Sequence, residues 1–142
     1  MLIKEKDVIR MKVPFPNINA GLALQSHMYI CRRANASDYG FVKCQTLKPF
    51  MLNSSLFIHY IDEAADINRN PFQWATRIDC DKLFTTQSVS YNDRLKTILR
   101  TDVCQSLYDD VIRELNADGF AKIAINEKEL VALNHLITRI QV

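Results

Sequence analysis

Two hydrophobic periodicities divide the chain. Up to about residue 86, apolar and polar residues alternate over short runs, a pattern typical of half-buried β-strands. In the first run, Ile9, Met11 and Val13 alternate with Arg10 and Lys12. After about residue 100 the apolar residues recur every three or four positions, which indicates helices. This order predicts an α+β fold that is mainly β, with strands first and helices afterwards.

The strand region contains five runs of β-forming residues separated by turn residues. We expect strands over residues 7–13, 27–33, 41–47, 56–62 and 74–86. A long loop, 14–26, follows the first strand and is a candidate lid. Because no helical pattern separates the strands, the sequence favours a small barrel or sandwich over a parallel sheet.

Two helices are predicted after the strands. Residues 101–115 carry an apolar stripe, with Thr101 as the expected N-cap. Asn126 begins a capping-box-like sequence, NEKE, that predicts a second helix. The apolar positions of the two helices are Val103, Leu107, Val111, Ile112 and Leu115 in the first and Leu130, Leu133, Leu136 and Ile137 in the second.

The amino-acid composition excludes few classes of function. The 142 residues are enough for one domain, and a net charge of +2 is too small to indicate a nucleic-acid partner by itself. The four cysteines form no CxxC pair, so we expect reduced, packed thiols, with no metal and no cofactor. No apolar run approaches the roughly 20 residues of a membrane span. These features favour a cytoplasmic protein without membrane contact.

Candidate chemistry is concentrated in ATRIDCDKLF, residues 75–84. Arg77 and Asp79 are two positions apart and share one face of a strand. They form either a structural ion pair or part of a site, and the two interpretations have equal weight. Asp81 is expected to cap or turn the following segment. Two histidines carry less chemical support: His59 is expected to be a satisfied core or edge residue, and His135 lies in the C-terminal tail.

Several strings, in their order and spacing, resemble the MazF/PemK family of type II toxins. They are VPFPN at 13–17, VKCQT at 42–46, TRIDCDKLFT at 76–85 and the helical run at 101–115. The resemblance covers about residues 5–116 of a single domain spanning 1–142, and the helical tail 117–142 is unmatched. It implies an SH3-like barrel of about five to six strands followed by C-terminal helices, usually as a homodimer. The implied activity is metal-independent cleavage of single-stranded RNA through a 2′,3′-cyclic phosphate, restrained by a cognate antitoxin.

Metal-free RNA cleavage needs a general base, a general acid and charge stabilisation at the phosphate. Arg77 and Asp79 match an arginine-x-aspartate pair that some members use in catalysis, and Thr46 matches a threonine of the family. For Thr46 a core or turn role has equal weight. Lys43 and Trp74 are RNA-binding candidates, although Lys43 is expected to be solvated and Trp74 is a candidate platform for an unpaired base. Two other aromatics, Phe72 and Tyr29, are expected in the core.

The sequence departs from the family at the start of the second strand. Many catalytically competent members carry an Arg-Pro pair there, whereas this chain has Ser26 and His27. His27 is a substitute general acid or base, or else an ordinary strand-edge histidine, and Ser26 is a further RNA-binding candidate. The alternatives are a catalytically inactive module of the same fold that binds RNA or a protein, and an interaction protein that uses its C-terminal helix.

Overall fold

The computed structural model describes residues 3–21, 23–53 and 55–140, so residue 22 of the candidate lid lies outside the described part. Over these residues the chain is mainly β, with two helices near its C-terminal end, as predicted. The predicted order of strands first and helices afterwards is wrong for the tail, because strands 121–124 and 137–139 follow the first and the second helix. The strands and helices are β1 (Val8–Met11), β2 (His27–Asn35), β3 (Asp38–Thr46), β4 (Tyr60–Glu63), β5 (Thr76–Asp79), β6 (Lys82–Thr86), β7 (Val89–Tyr91), α1 (Gln105–Asn116), β8 (Ala121–Ala124), α2 (Glu127–Leu133) and β9 (Ile137–Arg139). Neither helix is long and apolar enough to cross a membrane.

Seven strands form one sheet, which is antiparallel except at one edge. Five of them follow the order β1-β2-β3-β5-β4, and all pair in antiparallel fashion. The long strand β3 pairs with β5 near its C-terminal end and with β6 near its N-terminal end. Strand β8 extends β6 in parallel, and β7 pairs with β9 in a separate two-stranded sheet. The larger sheet is not closed.

The single strand predicted over 74–86 is two strands, β5 and β6. Asp81 separates them because its side chain accepts hydrogen bonds from the backbone N–H groups of Ile58 and His59, both at 2.9 Å. Its own N–H donates to the Asp79 carboxylate at 2.9 Å. This turn confirms the expected role of Asp81. It also delays the fourth strand, which begins at Tyr60 instead of residue 56.

The predicted N-cap at Thr101 is wrong, and α1 begins three residues later than predicted, with Cys104 as its N-cap. The preceding residues are tied to the first strand instead, since the Thr101 carbonyl accepts from the Val8 N–H at 2.9 Å. Asn126 does cap the second helix, through a hydrogen bond from the Glu129 N–H. That helix ends at Leu133, so the predicted helical positions beyond it are not helical.

Two apolar cores cover the two faces of the sheet. Helix α1 packs on one face, called here the α1 face, against Val8, Ile30, Cys44 and Ile78. The opposite face packs against the C-terminal tail. Its buried members include Tyr29, Phe41, Phe84, Leu130 and Ile137. Because side chains alternate along a strand, each candidate site residue belongs to one face or the other.

Candidate functional site

Arg77 is buried on β5 and bound on all sides by the protein. Its side chain is 2% exposed. Its Nε and Nη2 donate to the two carboxylate oxygens of Asp62 at 2.7 and 2.8 Å, and Nη1 donates to the Met51 carbonyl at 2.8 Å. The guanidinium also lies 3.8 Å from the ring centroid of Tyr60. Arg77 is therefore half of an ion pair, but its partner is Asp62 on β4 rather than Asp79.

Asp79 is also engaged within the protein. Its Oδ1 accepts from the Asp81 N–H at 2.9 Å, and its Oδ2 accepts from Lys82 Nζ at 3.2 Å. The carboxylate is 4% exposed, although it lines a cavity described below. Its role in the fold is to neutralise Lys82 and to hold the turn between β5 and β6.

Thr46 lies on the other side of the sheet from Arg77 and Asp79. The β3–β5 register aligns Thr46 with Thr76 and Gln45 with Arg77, so alternation places Thr46 on the α1 face. The structure therefore does not bring Thr46 together with the Arg77–Asp79 pair. Thr46 is instead exposed at the end of β3.

A second group of predicted residues does come together, around His27. Two adjoining depressions of about 80 and 460 Å³ share Ser26, His27, Thr46 and Trp74 as lining residues. We call these depressions the His27 pocket. Arg10 of β1 lines the smaller one. The pocket wraps around the edge of the sheet: by alternation His27 lies on the face of Tyr29 and Lys43, whereas Thr46 and Arg10 lie on the α1 face.

His27 is the chemically distinctive residue of this pocket. Its Nδ1 is buried and makes no hydrogen bond of good geometry with the described residues. Burial and the positive charge of Lys43 lower the pKa of His27 to about 4, against a smaller opposing effect of the Gln25 backbone. The imidazole is therefore neutral at pH 7, with one ring nitrogen unprotonated.

Folding stability should depend on pH through His27. The pKa is 6.5 for an unperturbed histidine and about 4 in the fold, so the unfolded chain binds more protons between these values. The free energy of unfolding is therefore highest, as far as His27 is concerned, above pH 6.5. It decreases as the pH falls toward 4, by up to about 1.4 kcal/mol per pH unit. Chemical denaturation of the wild type and His27→Gln at pH 7, 6, 5 and 4.5 measures this difference.

The matched control for that series is His59→Gln. Hydrogen bonds to Glu114, at 3.1 Å, and to Asp118, at 2.9 Å, raise the pKa of His59. His59 therefore contributes stability at low pH, and its substitution should change the pH dependence in the opposite direction. A wild-type minus His27→Gln difference that does not vary with pH would contradict the assignment. The same contacts confirm His59 as a satisfied histidine.

Lys43 is not solvated, contrary to the sequence-based expectation. It is 8% exposed because it lies mid-strand on β3, directly opposite the buried Tyr29. The lysine is on the same face as Arg77 and Asp79, and burial lowers its pKa. It lines a cavity next to the His27 pocket instead of presenting its amine to the surface.

The expected burial of Phe72 and Tyr29 is confirmed. Trp74 is 67% exposed at the rim of the His27 pocket, whereas Phe72 and Tyr29 are buried. His135 is exposed in the tail, outside the His27 pocket.

Of the four cysteines, Cys31, Cys44 and Cys80 are buried, and all four are free.

Arg10 is the pocket residue that the sequence argument missed. Alternation placed it on the polar side of the first strand, where an exposed arginine attracts no attention. The register pairs Arg10 with Met28, the neighbour of His27, and this pairing brings it to the pocket. The only available signal was the pairing of the first two strands, which puts the start of β2 beside the end of β1.

The His27 pocket therefore combines features that the sequence distributed over four separate segments. Comparisons with models of protein families, with curated proteins and with solved structures find no match to the chain.

Proposed function

We propose that the chain is a toxin-like endoribonuclease that cleaves single-stranded RNA without a metal ion, at the His27 pocket. The observation that carries the proposal is a half-buried His27, its pKa lowered, in the lining of a pocket that Thr46, Arg10 and Trp74 also border. We further propose a variant of the SH3-like barrel, supported by the antiparallel order β1-β2-β3 and the return of β6 to β3.

The proposed roles follow from the chemistry of each group. Neutral His27 accepts the proton of the attacking 2′-hydroxyl, the P–O5′ bond breaks as the 2′,3′-cyclic phosphate forms, and solvent water protonates the departing 5′-oxygen. Arg10 stabilises charge on the phosphate with its planar, permanently protonated fork. The Thr46 hydroxyl donates to a phosphate oxygen, and Trp74 stacks on a base. A bound phosphate next to His27 raises the pKa of the histidine toward 7, because the negative charge of the phosphate favours the protonated ring. Arg77 and Asp79 then support the sheet and do not contact the substrate.

Incubation of purified protein with a long single-stranded RNA in EDTA tests the proposal. The wild type should produce discrete fragments ending in 2′,3′-cyclic phosphate. His27→Gln should reduce the rate about 10²- to 10⁴-fold, the usual range for a general base, and Arg10→Ala should also reduce it. Arg94→Ala, at an exposed position, is the matched control. Cleavage that survives in His27→Gln would contradict the assignment.

A non-catalytic RNA-binding module is the second candidate. It is favoured by the engagement of Arg77 and Asp79, the pair that the resemblance assigns to catalysis, with partners inside the protein. The same RNA separates the two functions. Binding without cleavage, weakened about tenfold or more by Trp74→Ala, would favour the module.

The remaining parts of the proposal concern partners and location. We propose a cytoplasmic homodimer that binds a cognate antitoxin. Support comes from the apolar side chains that residues 49–53 and 55–60 expose, since contiguous exposed apolar surface marks interaction sites. The most exposed of them are Phe50, Leu52, Leu56 and Ile58.

A further inference from the structure

A second cavity lies beside residues 50–51 and 56–57, on the face of the sheet that carries Arg77. Its volume is about 330 Å³. Aromatic rings of Phe15, Phe50, Phe57 and Phe84 form much of its wall. Lys43 and Gln45 of β3 contribute its polar groups, together with Asp79 and Lys82. We call this cavity the Lys43 pocket.

Lys43 is the unusual member of this pocket. It is 8% exposed, and its amine makes no hydrogen bond or ion pair with any residue that the structure describes. The Gln45 side chain likewise makes no hydrogen bond within the described residues. A buried cation without a partner is unfavourable, and proteins normally pair such a group. Two hydrogen-bond donors are therefore available inside an apolar cavity.

The charges around Lys43 leave an excess of one positive charge. Asp79 is close enough to favour the protonated lysine, but both of its oxygens already accept hydrogen bonds, one of them from Lys82. Asp79 and Lys82 thus neutralise each other, and Lys43 remains uncompensated. The pocket is complementary to a single negative charge attached to an apolar body.

We propose that the Lys43 pocket binds a small monocarboxylate with an apolar body, its carboxylate on Lys43 and Gln45 and its body against the phenylalanine wall. A volume of about 330 Å³ is at the lower end of the range of small-molecule sites. One ammonium and one amide suit a carboxylate, whose hydrogen bond to a charged donor is strong. The site is independent of RNA cleavage, although it shares Gln45, Phe50 and Met51 with the wall of the His27 pocket.

Titration of the full chain with three probes of equal chain length tests the charge requirement. Octanoate, octan-1-ol and octylamine are added separately, and the methyl resonance of Met51, which lines the pocket, reports binding. Octanoate should saturate one site, octan-1-ol should bind at least about tenfold more weakly, and octylamine should not bind, since a charge-assisted hydrogen bond contributes about a factor of ten or more. Equal affinity for octanoate and octan-1-ol would overturn the proposal.

Lys43→Met tests the residue itself. The substitution replaces an unpaired buried cation by an apolar chain of similar length, so the fold should be retained, and thermal unfolding verifies it. Octanoate affinity should fall about 10- to 100-fold, whereas Lys128→Met, at an exposed position on α2, should leave it unchanged. Undiminished octanoate binding by Lys43→Met would overturn the assignment.

A short peptide distinguishes a free acid from the end of a polypeptide, because both carry a carboxylate on an apolar body. The tripeptide Ala-Ala-Leu is titrated with a free and with an amidated C-terminus. Octanoate should bind more tightly than either form of the peptide, because the cavity is small. Tighter binding of the unamidated peptide would overturn the assignment to a small monocarboxylate.

Discussion

Arg77→Met should lower the free energy of unfolding by about 1.5–3 kcal/mol, the usual contribution of hydrogen bonds to a charged group, because Arg77 is buried while its partner Asp62 is exposed. The substitution leaves Asp62 without its bidentate partner and the Met51 carbonyl without its donor. It also removes the cation over the Tyr60 ring, 3.8 Å from the centroid. Urea denaturation of the wild type and the variant measures the loss.

The double variant Arg77→Met/Asp62→Leu isolates the cause. Replacing both partners by apolar groups leaves no charge uncompensated, so most of the lost stability should return. Arg94→Met is the control, because Arg94 is exposed and its removal should change stability by less than about 0.5 kcal/mol. A stable Arg77→Met protein would show that the pair does not hold β4 on β5.

The expected instability changes how an Arg77 variant is interpreted in an activity assay. The resemblance assigns Arg77 to catalysis, so loss of cleavage after its substitution looks like confirmation. The geometry provides another explanation, because the guanidinium is buried against Asp62 and Met51. His27→Gln separates the two, since it changes the pocket without breaking an ion pair.

Local sequence pattern was sufficient for the β-rich class and for the second helix start. Alternation in residues 7–13 and the cap at Asn126 depend on neighbours within a few positions, so they are visible in the sequence. The split between β5 and β6 was not visible, because Asp81 captures the N–H groups of residues 22 and 23 positions earlier. Contacts at that separation depend on the fold as a whole.

The candidate site was predicted in part for a related reason. Alternation correctly put Arg77 and Asp79 on one face of β5. It did not reveal the register that aligns Gln45 with Arg77 and so separates Thr46 from the pair. Strand register depends on long-range pairing.

Asp62 was hidden by the same limitation. Asp62 and Arg77 are 15 residues apart in sequence, and the register between β4 and β5 places them opposite each other. The sequence therefore offered Asp79 as the nearest carboxylate, two positions from Arg77, although the actual partner lies on the neighbouring strand. A short spacing in sequence indicated a shared face, and it did not indicate a contact.

Leu130→Ala should lower the free energy of unfolding by about 2–5 kcal/mol, as for other fully buried leucines. Leu130 is completely buried, in the same core as Phe84, Tyr29 and Ile137. The tail also adds β8 to β6 and β9 to β7, and the Asn134 side chain bonds the Lys12 backbone at 2.7 and 2.8 Å. Residues 117–140 are therefore part of the domain core.

This prediction concerns the segment that the family resemblance does not cover. If the tail were an appended helix docked on a complete barrel, truncating Leu130 would cost little and a chain ending at residue 116 would fold. Since the tail instead covers one face of the sheet, both changes should unfold the protein at moderate urea. Leu99→Ala is the control for a surface leucine, as Leu99 is 75% exposed. A Leu130→Ala loss below about 1 kcal/mol, under the range for a buried leucine, would show that the sheet is stable without the tail.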